Sequence, residues 1–330
     1  MPAASHATAF PRRALLGAVA TFAAAVAARA QPGWPDRPFR WISPSPPGSA
    51  ADVLSRLVTD RLSARLGQPV VVENRPGAGT NIGMAQLARA AADGYTLGLA
   101  SAASHGANRF LYATMPFDPS RDFSPIGMIA IVPNIMVVPP ASPARDVAGF
   151  IAWARGLGRP LNLGTVGIGS SQHLAGAQFT MITGIQITHL PYNQAGHMNT
   201  DLIEGRLDLL FQSISAVAPL AQAGRMRPIG VTGMERVPAF PDLPTLREQG
   251  IAITTTGWFG LVAPAGVPEA ILDRLDGELA AALEEPPLRA RILAGGALPW
   301  VLRRADFARF MTEESERLGA IIRAVGVRAE

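Results

Sequence analysis

The chain has 330 residues, no cysteine and a formal charge of +4, with 48% hydrophobic residues. That length suits two domains of ordinary size, and the missing cysteine excludes disulfides, thiol chemistry and a lipid anchor on an N-terminal cysteine. The pI near 10.4 does not mark a nucleic-acid binder: all 29 basic residues are Arg, they are scattered among 25 acids with no more than two adjacent, and no basic stripe exists to neutralise phosphates.

The first thirty residues read as an export signal. Arg12-Arg13 precede Ala14-Leu15-Leu16-Gly17 and an apolar run to Ala28, and Ala28-Arg29-Ala30 is a small-x-small exit. The run is shorter than the roughly 20 apolar residues a membrane span needs, and the paired arginines point to the twin-arginine route. Cleavage is expected after Ala30. The mature chain then keeps 26 Arg against 25 acids, a charge of +1, and is expected in the periplasm.

Strands and helices alternate from there. Phe39–Ile42 reads as a strand, followed by a Pro/Gly turn and a helix with Val53, Leu54, Leu57, Val58, Leu62 and Leu66 at helical spacing, ending at Gly67. Strand Val70–Val72, a helix from Asn81 to about Ala91 and strand Tyr95–Leu99 complete a first α/β block. A second block has strands Leu161–Gly164, Ile187–Leu190, Leu207–Phe211 and Arg227–Thr232, with helices Ser171–Thr183, to Gly205 and to Ala223. The joining stretches, Ile131–Val138 and Thr254–Val262, are apolar or β-branched and read as strands. Helices are expected over Glu269–Leu283, Pro287–Leu293 and Ala305–Val325. Alternation predicts parallel, helix-covered sheets, and two blocks joined by two extended crossings predict a hinged cleft.

Ligands of open α/β sheets sit beyond the carboxyl ends of strands, which singles out five loops. Pro47, Gly48, Ser49, Ala50, Ala51 and Asp52 open the first long helix, and Ser49 with Asp52 three later is a capping-box pattern. Free N–H groups at such a helix start favour an anion. Gly169, Ser170, Ser171 and Gln172 open the corresponding helix of the second block. Neither Gly-Lys-Ser/Thr nor Gly-x-Ser-x-Gly is present, so nucleotide hydrolysis and a hydrolase elbow are not indicated. Ser101, Ser104 and His105 follow the third strand. Tyr192, Asn193, Gln194 and Ala195 follow a second-block strand, and Gln212 ends the next one. No histidine is paired at metal-ligand spacing, so neither metal nor cofactor is expected, and His173 reads as a local hydrogen-bonder.

Across the mature chain the residues resemble one family. Ser45-Pro46-Pro47-Gly48, the run Leu66 to Gly79 with Glu73-Asn74-Arg75-Pro76-Gly77-Ala78-Gly79, Asp93-Gly94-Tyr95-Thr96-Leu97, Phe240-Pro241-Asp242-Leu243-Pro244-Thr245 and Trp258-Phe259-Gly260 are similar to the Bug-type extracytoplasmic solute receptors. These are the substrate-binding components of tripartite tricarboxylate transporters. The resemblance implies an α/β, two-lobed periplasmic-binding-protein fold of the second type, a Venus flytrap of two α/β domains joined by two extended hinge strands. It implies a first lobe of residues 33–135 plus 257–330 and a second of 136–256. It also implies small-carboxylate ligands held by backbone N–H groups, hydroxyls and water, and permease subunits as partners. The chain departs from the family pattern at Ser49 and Ala51, where Gly and Thr are usual, and at Asn193-Gln194, where many members carry Lys-Gly. It also departs at Gln212, where Asp is common, and in the Ser101–His105 loop, which lacks the usual Thr.

These features predict a monomeric, non-enzymatic receptor that captures a small organic acid between its lobes. Two other readings remain open at this level. One is the same fold feeding a membrane sensor kinase. The other is an exported hydrolase built on Ser170 or Ser104, for which no aligned histidine is evident.

Overall fold

The computed structural model describes residues 33–192 and 195–328. The expected signal and Asn193-Gln194 lie outside the described residues. The compact unit described below begins at Arg37.

In that unit β1 (Phe39–Ser43) buries Phe39, Trp41 and Ile42 completely. The Trp41 indole donates to Ser55 Oγ at 3.0 Å, tying the strand to α1 (Ala50–Leu66). That helix stops at Gly67, whose φ of 70° suits a residue without a β-carbon. β2 (Val70–Asn74), α2 (Asn81–Ala88), the fully buried β3 (Thr96–Ser101) and a short α3 (Asn108–Leu111) follow. β4 (Phe123–Val132) then runs into β5 (Asn134–Val138) across Pro133.

The middle of the chain forms α4 (Val147–Arg155), β6 (Leu161–Thr165), α5 (Ser171–Thr183), β7 (Ile187–Pro191) and α6 (Ala195–Ile203). β8 (Leu209–Ser213), α7 (Ile214–Gln222) and β9 (Arg227–Val231) complete it. The chain returns through residues 254–256 to β10 (Gly257–Pro264), α8 (Glu269–Glu284), α9 (Pro286–Ala294), β11 (Leu298–Arg303) and α10 (Arg304–Val325).

The strands make two sheets, ordered β11-β4-β10-β3-β1-β2 and β7-β6-β8-β5-β9. Only part of each is parallel. β1 pairs parallel with β2 and β3, and β6 with β7 and β8. β10, β4 and β11, and likewise β5 with β8 and β9, pair antiparallel. The departure from an all-parallel expectation has a topological cause: each sheet incorporates the strands that cross from the other, and these enter against the βαβ direction.

Packing explains the order. α10 closes on β10 at Gly260, where a β-carbon would lie 2.1 Å from Phe307 Cζ. Trp258, fully buried, meets Phe307 and Phe310 edge-on at 5.9 and 5.4 Å. Each such aromatic burial contributes roughly 1.5–3 kcal/mol. The second sheet is covered on one face by Phe150 and Phe179 and on the other by Met198, Leu202 and Val217.

α3, α4 and β11 escaped sequence reading, and β4 was read only at its end, from Ile131. α3 and α4 are short, and β11 is a half-exposed edge strand carrying Pro299, a residue tolerated there because an edge N–H needs no partner. β8 begins at Leu209 rather than Leu207 because Asp208 is committed to the loop, accepting both Arg159 Nη atoms at 2.8 and 2.9 Å and the Asn162 N–H at 2.7 Å.

Candidate functional site

The strand registers bring the carboxyl edges of both sheets to the crossings. Ser101, the last residue of β3, pairs with Phe259, two residues from Gly257, which pairs with Val132 at the end of β4. One residue beyond Pro133, Asn134 pairs with Ser213, the last residue of β8. Because β1 and β2 run parallel with β3, and β6 and β7 with β8, all five loops singled out from sequence leave from edges that face the hinge.

The start of α1 is tightly organised. Ser49 Oγ accepts the Asp52 N–H at 3.3 Å, the first half of a capping box. The Asp52 carboxylate reaches past Ser49 to the Gly48 N–H at 2.9 Å instead of closing the box. It also accepts from Asn74 Nδ2 at 2.9 Å and Arg56 Nε at 3.2 Å. Burial alone would raise the Asp52 pKa, but the Gly48, Arg56 and Asn74 donors outweigh it and hold the group below the ordinary carboxylate range. Asp52 is therefore a neutralised brace. The first helical N–H groups, of Ala50 and Ala51, have no acceptor within the helix.

Asn74, whose place in the Glu73–Gly79 motif does not reveal this role, also donates to the Ser45 carbonyl at 3.0 Å, fixing the loop from the β2 side. Its neighbour Glu73 takes Arg40 in a two-pronged pair at 2.9 and 3.0 Å and Arg75 at 3.2 Å, which draws its pKa down to about 2. Past this network Ala78 and Thr80 both have positive φ, 46° and 86°. For a β-branched residue that is a strained geometry.

Ser101 and Ser104 cap one another. Each hydroxyl accepts the other's N–H, at 3.3 and 3.0 Å. Ser104 Oγ meets His105 Nδ1 at 2.9 Å. All three side chains are buried, and the His105 ring packs edge-on to Phe123 at 4.8 Å. Desolvation pushes the His105 pKa down to about 3, and Nε2 has no hydrogen-bond partner. These groups shape the wall of the first lobe from within.

The second helix start repeats the first. Ser170 Oγ donates to the Gly167 carbonyl at 2.8 Å and accepts the His173 N–H at 3.2 Å. The N–H groups of Ser171 and Gln172 are left without intrahelical acceptors. Gly169, at φ 79°, lies against α3 of the other lobe, and Leu174 joins the first lobe's core. His173 meets His189 with ring centroids 4.4 Å apart, a pairing invisible in the sequence. Burial and then the neighbouring His189 lower the His173 pKa to about 4.

Tyr192 continues from β7, its N–H on the Thr165 carbonyl at 2.8 Å. Its hydroxyl donates to Asp201 Oδ2 at 2.6 Å, and burial plus that carboxylate push its pKa up to about 12. The phenolic proton is thus already placed. Asn193 and Gln194 lie outside the described residues, and Ala195 opens α6. Gln212 uses Oε1 to accept the Ser213 N–H at 2.9 Å, while its buried Nε2 has no acceptor. Asn134 Nδ2 and Ser43 Oγ, at the same rim and not foreseen, are likewise buried without partners. The readable signal for both was a polar residue at the end of an otherwise apolar strand. Among the described residues no three His, Asp or Glu side chains gather to hold a metal ion.

The family described as the tripartite tricarboxylate transporter family receptor matches residues 54–327. The chain belongs to this family. It is 33% identical over 318 residues to a UPF0065 protein from the tcbD-tcbE intergenic region of Pseudomonas sp. strain P51, covering 93% of each chain. With protein BugT of Bordetella pertussis it shares 31% over 297 residues, 89% of this chain and 91% of that one. Among solved structures, R. palustris Rpa4515 with adipate superposes with a TM-score of 0.82 at 36% identity over 90% of this chain and 99% of that one. MatC from Rhodopseudomonas palustris with bound malate gives 0.75 at 28% identity, over 88% and 100%. The fold is the two-lobed α/β fold of periplasmic binding proteins.

In this tripartite transporter receptor the rim is electrostatically one-sided. The loops Ser43–Asp52, Ser101–His105 and Thr165–Gln172, with Tyr192 and Gln212, contain a single carboxylate, Asp52, and its charge is already met. What remains to offer is N–H, hydroxyl and amide.

Proposed function

We propose that the chain is a periplasmic receptor that captures a small carboxylate between its lobes and presents it, unaltered, to the membrane subunits of a tripartite tricarboxylate transporter. The observation that carries this reading is the pair of serine-capped helix starts at Ser49 and Ser170, one on each carboxyl edge, with the Gln212 amide donor buried beside the hinge. The relatives solved with adipate and malate support the ligand class. One ligand carboxylate sits at the Ala50 and Ala51 N–H groups. Closure brings Ser171 and Gln172 to its other end, and the hinge divides a lobe of 33–135 plus 257–330 from one of 136–256. A helix start favours an anion by ~0.3–1 kcal/mol when exposed and ~2 when partly buried, and each charge-assisted hydrogen bond adds about 1.5–3. A few of these, less ordering costs, reach the ~8 kcal/mol of micromolar binding.

Export through the Arg12-Arg13 signal with cleavage after Ala30, and a monomeric working state, belong to the same proposal. A hydrolase reading fares worse: Ser170 faces a carbonyl and an N–H rather than an imidazole, and the Ser104–His105 pair is buried with Nε2 unpartnered. Calorimetric titration of residues 31–330 with mono-, di- and tricarboxylates, neutral sugars and amines tests the proposal. Saturable binding of a carboxylate at micromolar level is expected. Binding confined to sugars or amines would overturn it.

A further inference from the structure

We propose that a cavity on the opposite flank of the hinge is a second binding site, for a small organic cation with an apolar body. The cavity has a volume of ≈ 620 Å³, within the range of small-molecule pockets. It contains none of the rim residues described above. Its hinge wall is Ile131, Pro133, Thr254 and Thr256, so both crossings contribute. Strand order separates it from the carboxylate rim: the rim lies along β3, β1, β8 and β6, whereas the cavity borders β11, β4 and the turn after β9, the other side of the crossing strands.

The apolar wall is an aromatic corner. Trp300 and Phe310 stand 5.4 Å apart at 73°, Phe310 in turn braced edge-on by Trp258. Trp300 lines the cavity and is 40% exposed, so its indole is open to a ligand. The charges point the same way. Arg317 cannot serve an anion, because Glu314 takes its Nε and Nη2 at 2.8 and 2.7 Å and Thr254 Oγ1 takes its Nη1 at 2.9 Å. Glu235, which also lines the cavity, has no ion-pair partner among the described residues. Arg247, which reaches the Met234 sulfur at 3.1 Å, does not line the cavity. The lining therefore combines one carboxylate without an ion-pair partner among the described residues and two aromatic rings. That combination selects a cation through carboxylate pairing and ring quadrupoles.

The test uses benzyltrimethylammonium as probe, with benzyl alcohol and benzoate as neutral and anionic counterparts, titrated into residues 31–330 and followed by Trp fluorescence and calorimetry. Saturable binding of the cation is expected, at least about fivefold tighter than either counterpart, and about tenfold weaker in Trp300→Ala and fivefold weaker in Glu235→Gln. Both side chains are exposed, so the variants should fold, and retained carboxylate binding in each separates this site from the interlobe one. No saturable binding, a preference for benzoate or benzyl alcohol, or unchanged affinity in both variants overturns the proposal.

Discussion

Gly169 of the second lobe sits directly on Leu111 of the first: a β-carbon at 169 would lie 2.3 Å from Leu111 Cδ1. Leu111 is 2% exposed and has little room to yield, and φ at 169 is 79°, where side chains other than glycine are strained. Gly169→Ala should therefore push the start of α5 away from α3. Ligand affinity is expected to fall at least about tenfold, with a stability loss of roughly 1–2 kcal/mol. Calorimetry and urea unfolding measure the two separately, and unchanged affinity would show that ligand capture does not use this contact.

Asp52 holds three donors and carries no free charge toward the groove. Asp52→Ala orphans the Gly48 N–H and releases Asn74 and Arg56, so a loss of roughly 1.5–3 kcal/mol in urea unfolding is expected. Carboxylate binding should weaken as well, because the α1 start loses its shape. Binding that strengthens in this variant would instead mean that Asp52 repels the ligand.

Tyr192 separates ring from hydroxyl. With its O–H donated to Asp201, Tyr192→Phe should leave ligand affinity within about threefold, whereas Tyr192→Ala, which removes the half-buried ring, should weaken it more than tenfold. Equal losses in the two variants would assign the contact to the hydroxyl.

Gln212 offers donors where an acid would offer only acceptors. Gln212→Asp should lower the affinity for a simple dicarboxylate by about tenfold or more, and shift preference toward acids that also carry an ammonium group. A dicarboxylate that binds Gln212→Asp as tightly as the natural chain would exclude the amide from the site.

The buried histidines set a pH dependence of definite sign. His105 and His173 titrate near 3 and 4 in the folded chain against 6.5 in the unfolded one, and His189 is lowered as well. Below 6.5 the unfolded chain binds protons that the folded chain refuses, so stability is complete above that pH and is lost as pH falls toward 4 and 3. His105 and His173 each contribute about 1.4 kcal/mol per pH unit inside their windows, and His189 acts in the same direction. Glu73, drawn to about 2 from 4.5, adds a further loss between those values. Urea unfolding at pH 7.5, 6 and 5 should show the fall, and a flat profile would contradict these burials.

Much of this architecture was readable because periodicity and punctuation are local. The Ser49 and Ser170 caps, the Gly67 stop, the helix from Ser171 to Thr183 and the strand-end position of each loop follow from neighbours in sequence. The mixed strand direction was not readable, since it depends on which distant strand β10 joins. Nor was the fate of single polar groups. Ser104 and His105 turn inward, Tyr192 finds Asp201, and His173 meets His189, because each partner is fixed by tertiary packing and no spacing rule encodes it. Asn134 and Ser43 were passed over for the converse reason: the one opens β5 and the other closes β1, and each reads as filler until its burial without a partner is seen.

The composition of the first sheet also dictates an order of assembly. Its strands come from both ends of the chain, β1 to β4 and then β10 and β11, and Gly260 cannot be covered until α10 arrives. The second sheet is drawn from one uninterrupted stretch between Asn134 and Val231. During synthesis that stretch can form its own nucleus, while the four leading strands wait for β10, β11 and Phe307 to emerge from the ribosome.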